Sequence, residues 1–284
     1  MENILQASNL VERLDIKSQK VNYVQKGEGA PVLLIHGIAA SLHDWDELVP
    51  ALAENGYSTY ALDLLGHGKS GKPRVRAYQM EWLFEHFAGW IDSLSLTQPL
   101  VLCGHSLGGY LALEFARRFP SRTRGLILSN PYYRLGQLSA LLRLSYHRPH
   151  LNGLIIERTP HWMFRMIIDV TSLALGRTRG GTHHLSEKVR HQTTVDYKRT
   201  SPGAYNLPNT AEDLSQHLTE IHVPTLVIWG DRDMTLAPTS FPELVQSMPN
   251  AQAKIIYGAS HVPHQSDPQE YNKIVMGFLE SLSR

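Results

Sequence analysis

The sequence predicts an α/β protein, in which a mostly parallel sheet of the eight-stranded type is flanked by helices and interrupted by an inserted helical cap. Two observations support this prediction. Short apolar runs that suit buried strands alternate with helical patterns in both terminal parts of the chain. From about Tyr132 to Leu218 no strand pattern is convincing, and helical spacing of apolar residues recurs. We therefore expect a core of residues 1–131 and 219–284 and a cap of residues 132–218.

Length and composition are those of a globular protein with a large core. The 284 residues are 42% apolar and 19% charged, with 27 Lys or Arg against 26 Asp or Glu, so the net charge does not favour a nucleic-acid partner. No run approaches the roughly 18 apolar residues of a membrane span. Residues Met1–Leu5 lack the basic and then apolar start of a secretory signal. The single Cys103 can form no internal disulfide, and we expect a cytoplasmic location.

The individual elements are predicted from apolar spacing. Weak alternation over residues 8–26 predicts an opening β-hairpin. Continuously apolar runs, which suit strands covered on both faces, predict further strands at residues 31–35, 57–62, 100–103, 124–131, 224–230 and 253–257. Helical spacing predicts core helices over residues 44–54, 78–94, 107–116, 241–247 and 268–282, and cap helices over residues 138–146 and 162–175.

The central motif is the pentapeptide Gly104-His105-Ser106-Leu107-Gly108, which joins a predicted strand directly to a predicted helix. A chain that turns from strand to helix within one residue forces strained dihedral angles on the corner residue, so its neighbours must be small. The hydroxyl of Ser106 would then stand above the sheet. The helix that follows would aim free N–H groups and the positive end of its dipole at the same place.

Other predicted strands end in loops that carry complementary groups. In open α/β sheets, ligands bind beyond the carboxyl ends of the strands. Asp231 and Asp233 follow one such strand, and His261 follows the next. An imidazole can take the proton of a serine hydroxyl, and an acid can fix the tautomer of that imidazole. The negative oxygen that forms needs two N–H donors, for which Leu107 and Ile38 are candidates.

These motifs resemble the α/β-hydrolase fold family over nearly the whole chain except the cap. The matching motifs are His36-Gly37 with Ser41 and Trp45, the loop of residues 63–70, the serine pentapeptide, Gly230-Asp231-Arg232-Asp233 and His261-Val262-Pro263. The resemblance implies Ser106 as nucleophile, His261 as base, an acid in the loop after Gly230, and Ile38 and Leu107 as oxyanion donors.

Two assignments follow from the family pattern. The catalytic acid usually stands three residues after the glycine, which selects Asp233 over Asp231. The pattern His-x-Pro fits His261 rather than His264. The residue five positions after this histidine is commonly acidic in the family, and here it is Ser266.

The resemblance implies a serine hydrolase, most simply a carboxylesterase that forms an acyl-enzyme with a small-molecule ester or related acyl substrate. A serine at this corner argues against haloalkane dehalogenases and epoxide hydrolases, which use an aspartate there. Open alternatives are a hydrolase of C–C bonds in meta-cleavage-type dienoates, a perhydrolase, a thioesterase and a lactonase. A non-catalytic ligand receptor on the same fold is a further alternative. We expect no cofactor and no metal, and the oligomeric state stays open.

Substrate contacts are expected from His36, Gly37, His105 and Trp162, although His36 also suits a role in shaping its loop. Trp162 and the apolar residues after it could line an acyl pocket or join the cap to the core. The segment 132–200 carries eleven Lys or Arg against four acids, a net charge of +7. We interpret it as a solvated helical surface, and the alternative is a basic lid that steers an anionic substrate or touches an anionic membrane. Its histidines at positions 147, 150, 161, 183, 184 and 191 show no metal-ligand spacing.

Overall fold

The computed structural model describes residues 18–139, 142–143, 146–175, 177–178, 181–182 and 185–282. The strands are β1 Tyr23–Lys26, β2 Ala30–Ile35, β3 Tyr57–Leu62, β4 Leu100–His105, β5 Thr123–Ser129, β6 Arg177–Thr178, β7 Gly181–Thr182, β8 Thr225–Gly230 and β9 Ala251–Ile256. In the described residues the main sheet has seven strands in the order β1-β3-β2-β4-β5-β8-β9. All neighbours are parallel except β1 and β3. The predicted α/β class is confirmed.

Two details differ from the predicted strands. The second half of the predicted hairpin is β1, which pairs antiparallel with β3, and residues 8–17 lie outside the described residues. The cap segment, residues 132–218, was predicted to lack strands, which is wrong. Its strands β6 and β7 form a two-stranded antiparallel ribbon. Two-residue strands are too short to leave an alternating pattern in the sequence.

The helices cover both faces of the sheet. They are α1 Leu48–Glu54, α2 Met80–Ser93, α3 Leu107–Arg118, α4 Pro149–Arg158, α5 His161–Leu175, α6 Glu187–Arg199, α7 Leu207–Thr210, α8 Ser240–Ser247, α9 Pro263–Ser266 and α10 Pro268–Leu282. Short 3₁₀ turns occupy Leu42–Trp45, Pro120–Arg122, Leu135–Gln137, Pro202–Asn206, Leu214–Gln216 and Leu218–Glu220. Of the helices in the described part of the chain, none is long and apolar enough to cross a membrane.

Cap helices α4 and α6 were not predicted, whereas α5 matches the prediction for residues 162–175 within one residue. Helix α6 is strongly polar, which hides its spacing. Of the predicted helix 138–146, residues 140, 141, 144 and 145 lie outside the described residues, as do His183 and His184.

Two apolar layers hold the sheet between its helices. Successive residues of a strand point to opposite faces. Leu33 and Ile35 of β2 pack with α2 and α3 on one face, and Val32 and Leu34 pack with α1 and α10 on the other. All four side chains are fully buried. Because both faces are covered, the carboxyl ends of the parallel strands are the place where loops can meet a ligand.

Candidate active site

Ser106 occupies the corner between β4 and α3. Its φ of 50° and ψ of −113° lie in a region that residues other than glycine rarely adopt. Gly104 and Gly108 permit this turn. A Cβ at Gly104 would overlap the carbonyl of Gly108, and a Cβ at Gly108 would overlap the carbonyl of Ile35. The strand-to-helix corner predicted from the sequence is therefore present, with Ser106 at its turning point.

The loop after β2 lies against this corner. Gly37 packs so closely that a Cβ there would come within 3.2 Å of Cβ of Ser106. Ile38 is the next residue of the loop, and Leu107 is the first residue of α3. In the described part of the chain, neither the Ile38 N–H nor the Leu107 N–H donates a hydrogen bond to another backbone group. The first N–H groups of a helix have no partner within it. Each of the two segments that meet at Ser106 therefore contains an unpaired backbone N–H donor.

His261 and Asp233 face each other across two neighbouring loops. Nδ1 of His261 donates a hydrogen bond of 2.7 Å to Oδ2 of Asp233. The two residues follow β9 and β8, which are parallel neighbours, so the carboxyl ends of these strands bring the loops together. A carboxylate oxygen only accepts hydrogen bonds. Nδ1 therefore carries a proton, and in the neutral ring Nε2 is the acceptor.

The carboxylate of Asp233 is buried and has four hydrogen-bond donors around it. Oδ2 also accepts from Nδ2 of Asn130 at 2.7 Å, and Oδ1 accepts from the N–H groups of Thr235 and Leu236 at 2.7 and 2.9 Å. Burial by itself would raise the pKa of Asp233. The neighbouring His261 and the hydrogen bonds outweigh burial and lower this pKa below its ordinary value. The carboxylate is therefore ionised at neutral pH.

Asp231 and His264, the alternatives to Asp233 and His261, have different surroundings from those two residues. Asp231 is exposed, and its Oδ1 accepts the N–H of Gly258 at 2.6 Å, which ties two loops together at the surface. His264 is 2% exposed and its ring lies 4.8 Å from the ring of Trp45 and 4.6 Å from that of His105. Neither ring nitrogen of His264 has a hydrogen-bond partner among the described residues.

A cavity of about 220 Å³ opens between the loops at the carboxyl ends of the strands and the cap segment. Ser106 and His261 both line it. Among the described residues, no Lys or Arg lines the cavity. The other lining residues are Ile38, Ala39, Ala40, Asp44, His105, Thr235, Val262 and Gln265, together with Leu142, Tyr146, Leu185, Thr193, Asp196 and Tyr197 of the cap segment.

Comparison with known proteins agrees with this architecture. The family model described as alpha/beta hydrolase fold matches residues 30–268, which is most of the chain. The chain belongs to the α/β-hydrolase fold family. The matched range includes the cap segment and every strand of the main sheet except β1, so it covers the loops that carry Ser106, Asp233 and His261.

Proteins named for different activities are similar to this chain. Epoxide hydrolase 3 of Xenopus tropicalis is 30% identical, and the alignment covers 92% of this chain and 75% of that protein. Pimeloyl-(acyl-carrier protein) methyl ester esterase of Aeromonas hydrophila is 26% identical, with 89% and 96% covered. The solved structure of a thermophilic esterase from Thermogutta terrifontis has a TM-score of 0.76 at 25% identity, with 93% and 94% covered.

The four residues expected to contact substrate are not all brought to the cavity of this hydrolase fold. His105 lines it, and Gly37 packs beside Ser106. His36 is fully buried, its Nδ1 donates to the carbonyl of Gly37 at 2.6 Å, and its Nε2 accepts from the N–H of Leu64 at 2.9 Å. It therefore suits a role in shaping the loop, and it is not among the described residues that line the cavity.

Trp162 also lies away from the cavity. Its side chain is 69% exposed and it does not line the cavity. Helix α5 instead turns Phe164 inward, which is 8% exposed and packs 5.3 Å from the ring of Tyr197. Apolar spacing marks one face of a helix but does not tell which of its residues reaches a ligand.

Asp196 is a residue of the cavity wall that the sequence did not reveal. It comes from α6, and its Oδ2 accepts from Oγ of Ser41 in the loop after β2 at 2.9 Å. Nε2 of Gln192 donates to its Oδ1, also at 2.9 Å. Burial raises the pKa of Asp196 to about 7. A single aspartate on a polar helix carries no pattern, so only the tertiary structure identifies it.

Asp44 is the second residue that sequence reasoning missed. It is 8% exposed, in the turn Leu42–Trp45, and its Oδ2 lies 3.3 Å from Nδ1 of His105 and 3.9 Å from Nε2 of His264. One ligand atom of each of these three residues lies within 4.8 Å of the others, a grouping that could hold a metal ion. Burial alone would raise the pKa of Asp44, but the hydrogen bond and charge of His105 hold it at about 2.

Proposed function

We propose that this chain is a serine hydrolase that cleaves a small carboxylic ester through an acyl-enzyme formed on Ser106. The observation that supports this proposal best is the 2.7 Å hydrogen bond between Nδ1 of His261 and buried Asp233, at a cavity that Ser106 also lines. A serine, an imidazole and an ionised acid in these positions are the parts that activate a hydroxyl nucleophile.

The proposed reaction begins with proton transfer. Oγ of Ser106 attacks the ester carbonyl carbon while Nε2 of His261 takes the hydroxyl proton. The ionised carboxylate of Asp233 stabilises the imidazolium that forms. The tetrahedral intermediate then expels the alcohol, which receives the proton from His261. A water molecule repeats the sequence on the acyl-enzyme, giving the carboxylic acid and free Ser106.

The negative oxygen of each intermediate requires donors that are already in place. The unpaired N–H groups of Ile38 and Leu107 are proposed to fill this role. Removal of one such donor typically costs about 3–4 kcal/mol of transition-state stabilisation. The close packing of Gly37 against Ser106 supports this assignment, since it keeps the loop of Ile38 next to the nucleophile.

The cavity favours a small, uncharged acyl group. Its volume of about 220 Å³ lies below the roughly 300–1,000 Å³ that is usual for ligand pockets. Asp44 and Asp196 are the acids in its wall, and no described Lys or Arg lines it. The cavity wall therefore does not support the interpretation of the basic cap as a lid for an anionic substrate. A wall with acids and no described Lys or Arg also disfavours an anionic dienoate.

The experiment that tests this function is a panel of p-nitrophenyl esters from acetate to decanoate, assayed beside one meta-cleavage-type dienoate and one epoxide. We expect acetate and butyrate to be the best substrates and Ser106→Ala to abolish their cleavage. Undiminished activity of Ser106→Ala would refute the mechanism. Preferential turnover of the dienoate or the epoxide would reassign the reaction, and binding without turnover of any substrate would favour a receptor.

A further inference from the structure

His105, the residue directly before Ser106 in the chain, forms a buried pair with Asp44. The mechanism proposed above does not use this pair. Nε2 of His105 lies 2.9 Å from the backbone carbonyl oxygen of His261, and Nδ1 lies 3.3 Å from Oδ2 of Asp44. A carbonyl oxygen and an ionised carboxylate can only accept hydrogen bonds. Both ring nitrogens of His105 thus face hydrogen-bond acceptors, the carbonyl of His261 on one side and the carboxylate of Asp44 on the other.

Asp44 joins the three segments on which the proposed reaction depends. Its Oδ2 accepts from the N–H of Gly37 at 3.4 Å, directly before Ile38. Its Oδ1 accepts from Nε2 of Gln265 at 3.0 Å, four residues beyond His261. Through His105 it also reaches the carbonyl of His261 itself. One carboxylate thus contacts the loop of the proposed oxyanion donor, the residue before Ser106 and the segment of the proposed base.

We propose that Asp44 and His105 form a buried hydrogen-bonded pair that positions His261 and the loop of Ile38 relative to Ser106. This inference rests on the proposed function. Both residues are positioning residues, because they act on the backbone that carries the reacting groups. A misplacement of reacting groups by about 1 Å can cost roughly 100-fold in rate, so such a tie has a measurable effect on turnover.

The ring of His264 lies against the pair. His264 stacks on His105 at 4.6 Å, and burial holds the pKa of His264 well below its ordinary value, so this ring is neutral. His264 therefore serves as an aromatic wall between His105 and Trp45. Replacing the Asp44 carboxylate by an amide would leave buried hydrogen-bond donors around it without an acceptor, which is unfavourable.

The test compares Asp44→Asn with Asp46→Asn. Asp46 lies two residues further along, pairs with His43 and Lys188, and does not line the cavity. For p-nitrophenyl butyrate we expect Asp44→Asn to lower kcat by roughly 10- to 100-fold with KM within about threefold. Asp46→Asn should leave both constants unchanged. A kcat for Asp44→Asn within threefold of that of the unsubstituted protein would overturn the proposal.

A second readout observes the pair directly and needs no activity. In ¹⁵N-correlated NMR spectra, the resonances of the Gly37 amide and of the His105 ring should move in Asp44→Asn and stay in place in Asp46→Asn, because Asp44 contacts both groups. Unchanged resonances of both groups in Asp44→Asn would contradict the pair. Stoichiometric zinc in the purified protein, lost on His264→Gln, would also contradict it, because the metal would then replace the proton between Nδ1 and Oδ2.

The two proposals fail in distinguishable ways. If the protein cleaves no ester in a Ser106-dependent manner, the proposed function is refuted, while the NMR spectrum still decides whether the pair exists. If ester cleavage depends on Ser106 but Asp44→Asn behaves like Asp46→Asn, only the positioning role is refuted. A double substitution adds a check, since Asp44→Asn should cost little further activity once His105→Phe has removed its partner.

Discussion

Replacement of Asp233 by asparagine is expected to keep the fold and remove nearly all activity. The reason lies in the four donors around the carboxylate. Oδ1 accepts from two backbone N–H groups, of Thr235 and Leu236, which cannot rotate away. The single oxygen of an asparagine must therefore stay on that side, and its NH₂ group must replace Oδ2. There it faces Nδ1 of His261 and donates to it.

This donation imposes the wrong tautomer on His261. With Nδ1 acting as acceptor, the ring proton moves to Nε2, and His261 can no longer take the proton of Ser106. Asn130 also faces the new NH₂ group, but its own Oδ1 has no partner among the described residues. A flip of the Asn130 amide therefore restores that hydrogen bond, and the fold should survive.

The expected loss is about 10³- to 10⁴-fold in kcat, the size found when the acid of such a triad is replaced by its amide. It corresponds to about 4–5 kcal/mol of transition-state stabilisation. Asp231→Asn is the matched control, because its side-chain oxygen can still accept the N–H of Gly258 and the residue is exposed. We expect that variant within about threefold of the unsubstituted activity.

The assay is kcat and KM for p-nitrophenyl butyrate, with the melting temperature measured for each variant. Retention of more than a tenth of the activity in Asp233→Asn, at an unchanged melting temperature, would refute the tautomer argument. An equal or larger loss in Asp231→Asn would move the acid to the exposed residue.

Two further predictions concern the cap segment. The pKa of Asp196 is raised from 3.8 to about 7 in the folded protein, so the stability it contributes is greatest at low pH and is lost as the pH rises through 7. Between pH 5 and pH 8 the loss is about 2.5 kcal/mol. We therefore expect the free energy of unfolding of Asp196→Asn, measured in urea relative to that of the unsubstituted protein, to be higher at pH 8 than at pH 5. A difference between the two proteins that does not depend on pH would disprove this. Because Trp162 is 69% exposed and away from the cavity, Trp162→Ala should leave KM for butyrate esters within twofold, and a large rise in KM would return it to the substrate site.

Much of the architecture could be predicted because its signals are local. The apolar runs of β2, β4, β5 and β8 are continuous because both faces of the sheet are covered. The turn at Ser106 could be predicted because it is too tight for a Cβ on the residues around it, so the sequence has glycines there. The cap was harder to predict, since α6 is mostly polar and the strands β6 and β7 have only two residues each.

The α/β class, the corner at Ser106 and the loops that carry Asp233 and His261 could be predicted from the sequence, since each depends on neighbouring residues and on the rule that loops gather at the carboxyl ends of parallel strands. The tertiary structure was needed to show which groups face each other there. It separated Asp233 from Asp231 by burial, excluded Trp162 from the cavity wall, and brought Asp44 to His105 across 61 positions of the chain and Asp196 to Ser41 across 155. Contacts between residues so far apart in the chain leave no periodic pattern in one sequence, because they depend on how the elements pack.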